Sequence, residues 1–234
     1  FTQSIKSVEN QSYKNKEIII TYDDEDKSEL KFIKKIIKNK KNYKLIVNKF
    51  NEGAGKSRNK AILKSRGKYI AFLDSDDFWS KNKLSKQINF MDKKNISASF
   101  TAYNIVNEKN KKISSRNAKN KIFFHDLLLS CDIGLSTVVL NRSILKKKIN
   151  FPNLKTKEDY VLWLLLSKKK ITFYGINEKL STWRKTSNSL SSNTIQKLFD
   201  GFKVYNNYMN FGILKSLLYL FLLSFNYLKK SIFF

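Results

Sequence analysis

Apolar positions along the first hundred residues alternate between two periods. Ile5 and Val8, with Phe1, share one helical face, and the run Glu17-Ile-Ile-Ile-Thr-Tyr that follows is a short β-rich segment ending at Asp23 and Asp24. Leu30, Ile33, Ile36 and Ile37 return to helical spacing under a lysine-rich outer face, and Tyr43 to Val47 returns to a strand. A third cycle places a helix over residues 57–65 and a strand over Tyr69 to Leu73. Helix and strand in alternation predict an α/β fold with a mostly parallel sheet, in which ligands sit at the carboxyl ends of the strands. Both acidic loops, at Asp23 and at Asp74, fall at such ends.

Past Trp79 the pattern predicts an amphipathic helix through Leu84, Ile88 and Met91, a strand near Ser97 to Val106, and a polar hairpin tip or loop from Glu108 to Asn120. Composition changes after Asp159, where only Glu178 and Asp200 face eleven lysines and arginines. The chain ends in Phe211 to Phe234, rich in Leu, Phe and Tyr. Lys215, Ser216, Ser224 and Asn226 interrupt that run, leaving it short of the ~20 apolar residues a spanning helix needs. It reads either as an in-plane amphipathic helix flanked by Lys229 and Lys230 or as a helix packed on the domain. The expected organisation is a catalytic-sized domain over 1–200 and a helical tail over 201–234.

Charge alters this picture. The 234 residues hold 46 Lys and Arg against 19 Asp and Glu, a net +27 that steers the protein toward polyanions or anionic membrane. Arginine occurs only at 58, 66, 116, 142 and 184, whereas base-edge and phosphate recognition leans on arginine forks, so no nucleic-acid partner is expected. Cys131 is the single cysteine, which excludes an internal disulfide and reads as a buried thiol. No signal-peptide pattern opens the chain and Phe1 is not a start residue, so the expectation is a piece of a longer protein, cytoplasmic or peripheral at the inner face of the membrane.

The strongest candidate chemistry lies in Tyr69-Ile-Ala-Phe-Leu-Asp74-Ser-Asp76-Asp77-Phe-Trp79, where an apolar strand delivers three carboxylates into one loop. Like charges gathered at a strand end call for a compensating cation, and Mg²⁺ or Mn²⁺ completed by a diphosphate suits oxygen ligands. An acidic helix cap is the plainer reading, although one carboxylate suffices for that. Asn51-Glu-Gly-Ala-Gly-Lys-Ser57 lacks the first glycine of a P-loop because position 50 is Phe. Gly53 and Gly55 still allow a tight turn into the helix of Arg58 and Asn59, as an anion site or as a plain loop. Glu158 and Asp159 open the apolar run Val161 to Leu166, either as caps or as a general base whose pKa burial would raise. His125, the only histidine, reads as a helix-surface or core residue.

Taken in order, these segments resemble the family 2 glycosyltransferases of the GT-A fold, which build bacterial surface polysaccharides. The likeness runs from residue 4 to about 192: Ser4 to Tyr13, Asn15 to Ile20 with Asp23 and Asp24, Asn51 to Gly53 with Arg58 and Asn59, Gly67 to Trp79 with Lys83 and Leu84, and Glu158 to Trp163. It implies an inverting transfer from a nucleotide-sugar donor, a UDP-sugar, to a glycan or lipid-linked acceptor. Asp24, with Asp23 beside it, would meet the base, and Arg58 would line the nucleotide site. Asp74 and Asp76 would form the metal-binding DxD-like pair, with Asp74 also facing the ribose and sugar, and Asp159 would be the catalytic base. Thr182 to Ser191 occupies the place of a loop closing over the donor, where Arg184 is expected to help. The apolar strand with which relatives usually begin is missing. Two rival readings are a basic module for anionic surfaces, suggested by the charge, and a non-catalytic relative that binds sugar nucleotides, suggested by the missing strand.

Overall fold

Two sheets organise the computed structural model, which describes residues 1–145, 150–186 and 193–232. The smaller holds β1 (Ile18–Tyr22) parallel to β2 (Tyr43–Val47). The larger runs through five strands in the order β3 (Tyr69–Ala71), β8 (Val139–Asn141), β5 (Ala98–Val106), β9 (Phe173–Arg184), β4 (Phe78–Trp79). Two further strands, β6 (Lys112–Arg116) and β7 (Lys121–Ile122), pair with β5 and β9.

The helices are α1 (Thr2–Glu9), α2 (Leu30–Ile37), α3 (Ala54–Lys64), α4 (Lys83–Lys94), α5 (Phe124–Leu129), α6 (Glu158–Lys168), α7 (Thr194–Lys203) and α8 (Ile213–Ile232). The α/β class stands, with one correction: the sheet is mixed. Only β1–β2 and β5–β9 run parallel among the described pairings. The helix–strand cadence that implies parallel strands ends at Trp79. Beyond it a hairpin turn joins β5 to β6, and β8 and β7 pair antiparallel with their neighbours.

Packing decides two boundaries that periodicity placed elsewhere. α3 starts at Ala54, three residues before Ser57, because Gly53 turns the chain at φ +88°. β3 stops pairing at Ala71, so Phe72 and Leu73 carry the chain out of the sheet into the acidic loop.

The main core lies under the large sheet, against α6. Tyr160 to Leu164 and Leu166 are fully buried, which explains why this helix has no polar face. The Trp163 ring meets Phe72, Phe151 and Phe173 at 5.4–6.4 Å. A second cluster joins Trp79, Leu84, Ile88, Met91 and Val139. Gln11 staples α1 to it: its amide donates to the Ser7 and Ser80 carbonyls and accepts the Leu84 N–H. The expected boundary between 200 and 201 lies inside α7, and Val204, Tyr205 and Leu223 join the main core.

Candidate active site

The acidic loop leaves β3 at the edge of the large sheet, and its shape is set by backbone bonds to distant residues. The Asp74 N–H donates to Ser136 Oγ at 3.2 Å, and the Asp74 carbonyl accepts Ser4 Oγ and the Asp77 N–H. The Ser136 carbonyl in turn accepts the Trp79 indole N–H at 2.7 Å and Ser181 Oγ at 3.0 Å. One residue of an unremarkable Gly-Leu-Ser-Thr stretch thereby fixes both ends of the loop.

The three carboxylates divide by role. Asp74 and Asp76 remain partly open to solvent, whereas Asp77 is buried. Burial, and next the charge of Asp74, raise the pKa of Asp76. The same two causes push Asp77 up to about 8. Asp77 Oδ1 accepts the backbone N–H of Arg184 at 3.0 Å, so it anchors the end of β9. Asp77 is thus taken up in holding the fold, while Asp74 and Asp76, the pair expected to bind the metal, keep open faces.

Arg58 projects from α3 between this loop and α6. Its Nη2 lies 2.7 Å from Asp74 Oδ1 and its Nη1 2.5 Å from Glu158 Oε1. Close packing sets that reach. A Cβ on Gly55 would stand 2.6 Å from the Pro152 carbonyl oxygen, and Asn59 exchanges two hydrogen bonds with the Phe151 backbone. α3 is thus pinned to the segment leading into α6.

Asp159 follows Glu158 on the first turn of α6. Burial, and then the neighbouring Glu158 charge, raise its pKa to about 7, with Arg58 pulling the other way. Its Oδ1 accepts the Tyr160 N–H at 2.7 Å. A carboxyl poised there exchanges protons near neutrality, as a general base requires.

The remaining predicted residues separate. Burial raises the pKa of Asp23, but bonds from the Glu52 N–H, Asn48, Ser57 and Gly53 outweigh it, and the net shift is downward. Asp24 is the exposed member of the pair, with Oδ1 bonded to the Asp26 N–H. Among the described residues no group of three His, Cys, Asp or Glu forms a ready-made metal site. The Asp74 charge nonetheless acts on Asp76, and a divalent ion on these carboxylates would relieve that repulsion.

A family model described as glycosyl transferase family 2 matches residues 1–150. The chain belongs to that family. It is 39% identical over 196 residues, 83% of this chain and 76% of the relative, to the Escherichia coli UDP-Glc:alpha-D-GlcNAc-diphosphoundecaprenol beta-1,3-glucosyltransferase WfgD. Two solved structures share the fold. One is S. aureus TarS 1–349 in complex with UDP-GlcNAc, at a TM-score of 0.71 and 19% identity, covering 94% of this chain and 66% of that one. The other is the mannosyltransferase PcManGT of Pyrobaculum calidifontis in complex with GDP-Man and Mn²⁺, at a TM-score of 0.67 and 11% identity, covering 94% and 65%. This family 2 chain is a glycosyltransferase of GT-A fold, of the kind that serves surface polysaccharide synthesis.

Other expectations meet the geometry unevenly. His125 is exposed on α5. Cys131 is exposed rather than buried, because it follows α5 in an open segment instead of packing into the sheet. Arg184 is a clamp: its guanidinium donates to the Asp76 and Glu108 carbonyls, Asn110 Oδ1 and Gln3 Oε1. Of the expected closing segment, Thr182 to Arg184 belong to β9, and residues 187–192 lie outside those described. Sequence reasoning missed Ser136 and the pairing of Glu158 with Arg58. No local signal marks Ser136, whereas an acid beside the candidate base could have been read as a partner for the lone arginine of α3.

Proposed function

We propose that this glycosyltransferase transfers a sugar with inversion from a UDP-sugar to a lipid-linked glycan acceptor at the inner face of the cell membrane. The observation that carries the reading is the charge chain Asp74–Arg58–Glu158 with Asp159 adjoining it, which couples a donor-side loop to a base titrating near neutrality. The lipid-linked acceptor and the UDP donor are supported by the name of the E. coli relative.

In this reading Asp24 meets the nucleotide base, with Asp23 holding the loop beneath it, and Arg58 orients Asp74 toward the ribose and sugar. Asp76 and Asp74 would hold Mg²⁺ or Mn²⁺, which when bound neutralises charge on the departing diphosphate. Asp159 accepts the proton of the acceptor hydroxyl as that oxygen bonds to the anomeric carbon. The bond from that carbon to the diphosphate oxygen breaks in the same displacement, and nucleoside diphosphate leaves. One displacement on the face opposite the leaving group inverts the centre.

Calorimetry with UDP, with and without Mn²⁺ at fixed salt, tests the donor half, and NMR of the anomeric proton in the product tests the stereochemistry. Metal-dependent UDP binding and an inverted product are expected. A retained configuration would overturn the single-displacement scheme.

A further inference from the structure

α8 has two apolar faces, and among the described residues one of them packs on the main core. Ser216, Tyr219, Leu220 and Leu223 turn inward onto the main core. Leu214, Leu217, Leu218, Phe221 and Phe225 lie on the opposite side, from 50% exposed at Leu217 to 84% at Leu214. Surface helices of globular proteins ordinarily turn polar residues outward. The neighbouring α7 exposes Ile195, Leu198 and Phe199 with the same spacing.

The charge around these stripes identifies what covers them. α8 carries Lys215, Lys229 and Lys230 and no acid. α7 carries Lys197 and Lys203, and its one acid, Asp200, is buried on the N–H and hydroxyl of Thr156. No described helix is long and apolar enough to cross a membrane. An apolar stripe edged with lysine suits an in-plane seat among anionic headgroups. A second copy of a chain with net charge +27 would bring like charge against like.

Both helices are fastened to the segments around the candidate base. Lys230 Nζ pairs with Asp132 and Ser130, and the Asn226 amide donates to the Leu129 carbonyl at 3.0 Å. Between Ser130 and Asp132 lies Cys131, within electrostatic reach of Asp159. Asp200 holds Thr156, two positions before Glu158.

We infer that the outward stripes of α7 and α8 dock on an anionic phospholipid bilayer, and that the bonds of Lys230, Asn226 and Asp200 hold the base at a fixed position relative to that surface. This deepens the reading of a lipid-linked acceptor, which would be met in the bilayer on which the enzyme sits.

The test is flotation with phosphatidylglycerol–phosphatidylcholine vesicles and with pure phosphatidylcholine vesicles, for the full chain and for a Leu214→Glu/Phe221→Glu variant whose melting and Mn²⁺-dependent UDP binding are checked first. The expected result is salt-sensitive binding to the anionic vesicles, weakened at least about tenfold in the variant. Transfer to a short-chain, water-soluble diphosphate acceptor should persist. A Leu217→Glu/Phe225→Glu variant repeats the measurement if the first melts early. Wild-type protein that stays off anionic vesicles, variants that bind like wild type, or a dimer in sedimentation velocity that only the variants dissociate would each overturn the docking. Failure of transfer to every acceptor, with vesicle binding intact, would instead sink the catalytic reading alone.

Discussion

Glu158 and Arg58 form an ion pair at 2.5 Å, with side chains only 12% and 18% exposed, directly beside the candidate base. The Glu158 charge holds the Asp159 pKa up, and Arg58 holds it down. Glu158→Gln removes the first influence. The midpoint of the pH–rate profile is expected to move to lower pH, and stability to fall by about 1–3 kcal/mol because a largely buried guanidinium loses its charged partner. A pH–rate titration and a denaturant melt of the variant check both, and an unmoved or alkaline-shifted midpoint would contradict the pairing's influence.

Asp159→Asn is expected to leave metal-dependent UDP binding intact and to slow transfer by about 10²–10⁴-fold, the usual worth of a general base. In the parent enzyme the rate should rise with pH through about 7 and level off above, since only the deprotonated carboxylate accepts the proton. The linkage runs the other way for stability. A carboxyl whose folded pKa exceeds its unfolded value loses stability as pH rises between the two, so the Asn variant should melt higher than the parent at pH 8. Near-normal turnover by the variant would move the base to another group.

Asp76→Asn tests the cation. Asp76 is raised in pKa by burial first and by Asp74 second, so the parent pair repels itself until a cation arrives. The variant should lose the Mn²⁺ dependence of UDP binding in calorimetry while its melting temperature holds or rises. Retained metal-dependent binding would assign the ion elsewhere.

Gly55→Ala tests the approach of α3 to the segment before α6. The added Cβ would meet a backbone oxygen, that of Pro152, at 2.6 Å, and a backbone group has no rotamer with which to yield. Destabilisation of about 1–3 kcal/mol is expected, together with a weaker response of transfer to Arg58→Ala, because Arg58 is displaced from Glu158 in advance. Additive losses in the double variant would show that the contact does not set the reach of Arg58.

Several residues of the candidate site are legible in the sequence. Asp74, Asp76 and Asp159 stand out because polar charge interrupts strongly apolar runs, and burial at such interruptions is what perturbs a carboxyl. Asp77 was legible as an acid but not as an anchor, since its partner is the backbone of Arg184 on a strand far along the chain. Arg184 drew attention from its place in a loop pattern, yet its bonds to Gln3, Asn110 and Asp76 come from three separate elements. The exposure of Cys131 was misjudged because thiols are commonly buried, a tendency that says nothing of one residue's surroundings.

The sequence by itself determined the order of helices and strands from α1 to β3, the α/β class, the acidic loops at strand ends and the buried character of α6, because each follows from periodicity and from neighbours close along the chain. Tertiary structure alone decided the mixed direction of the sheet, the Asp74–Arg58–Glu158 chain, the role of Ser136 and which face of α8 packs on the core. Those depend on strand pairing and side-chain contact between residues distant in sequence, and a one-dimensional pattern does not record such distances.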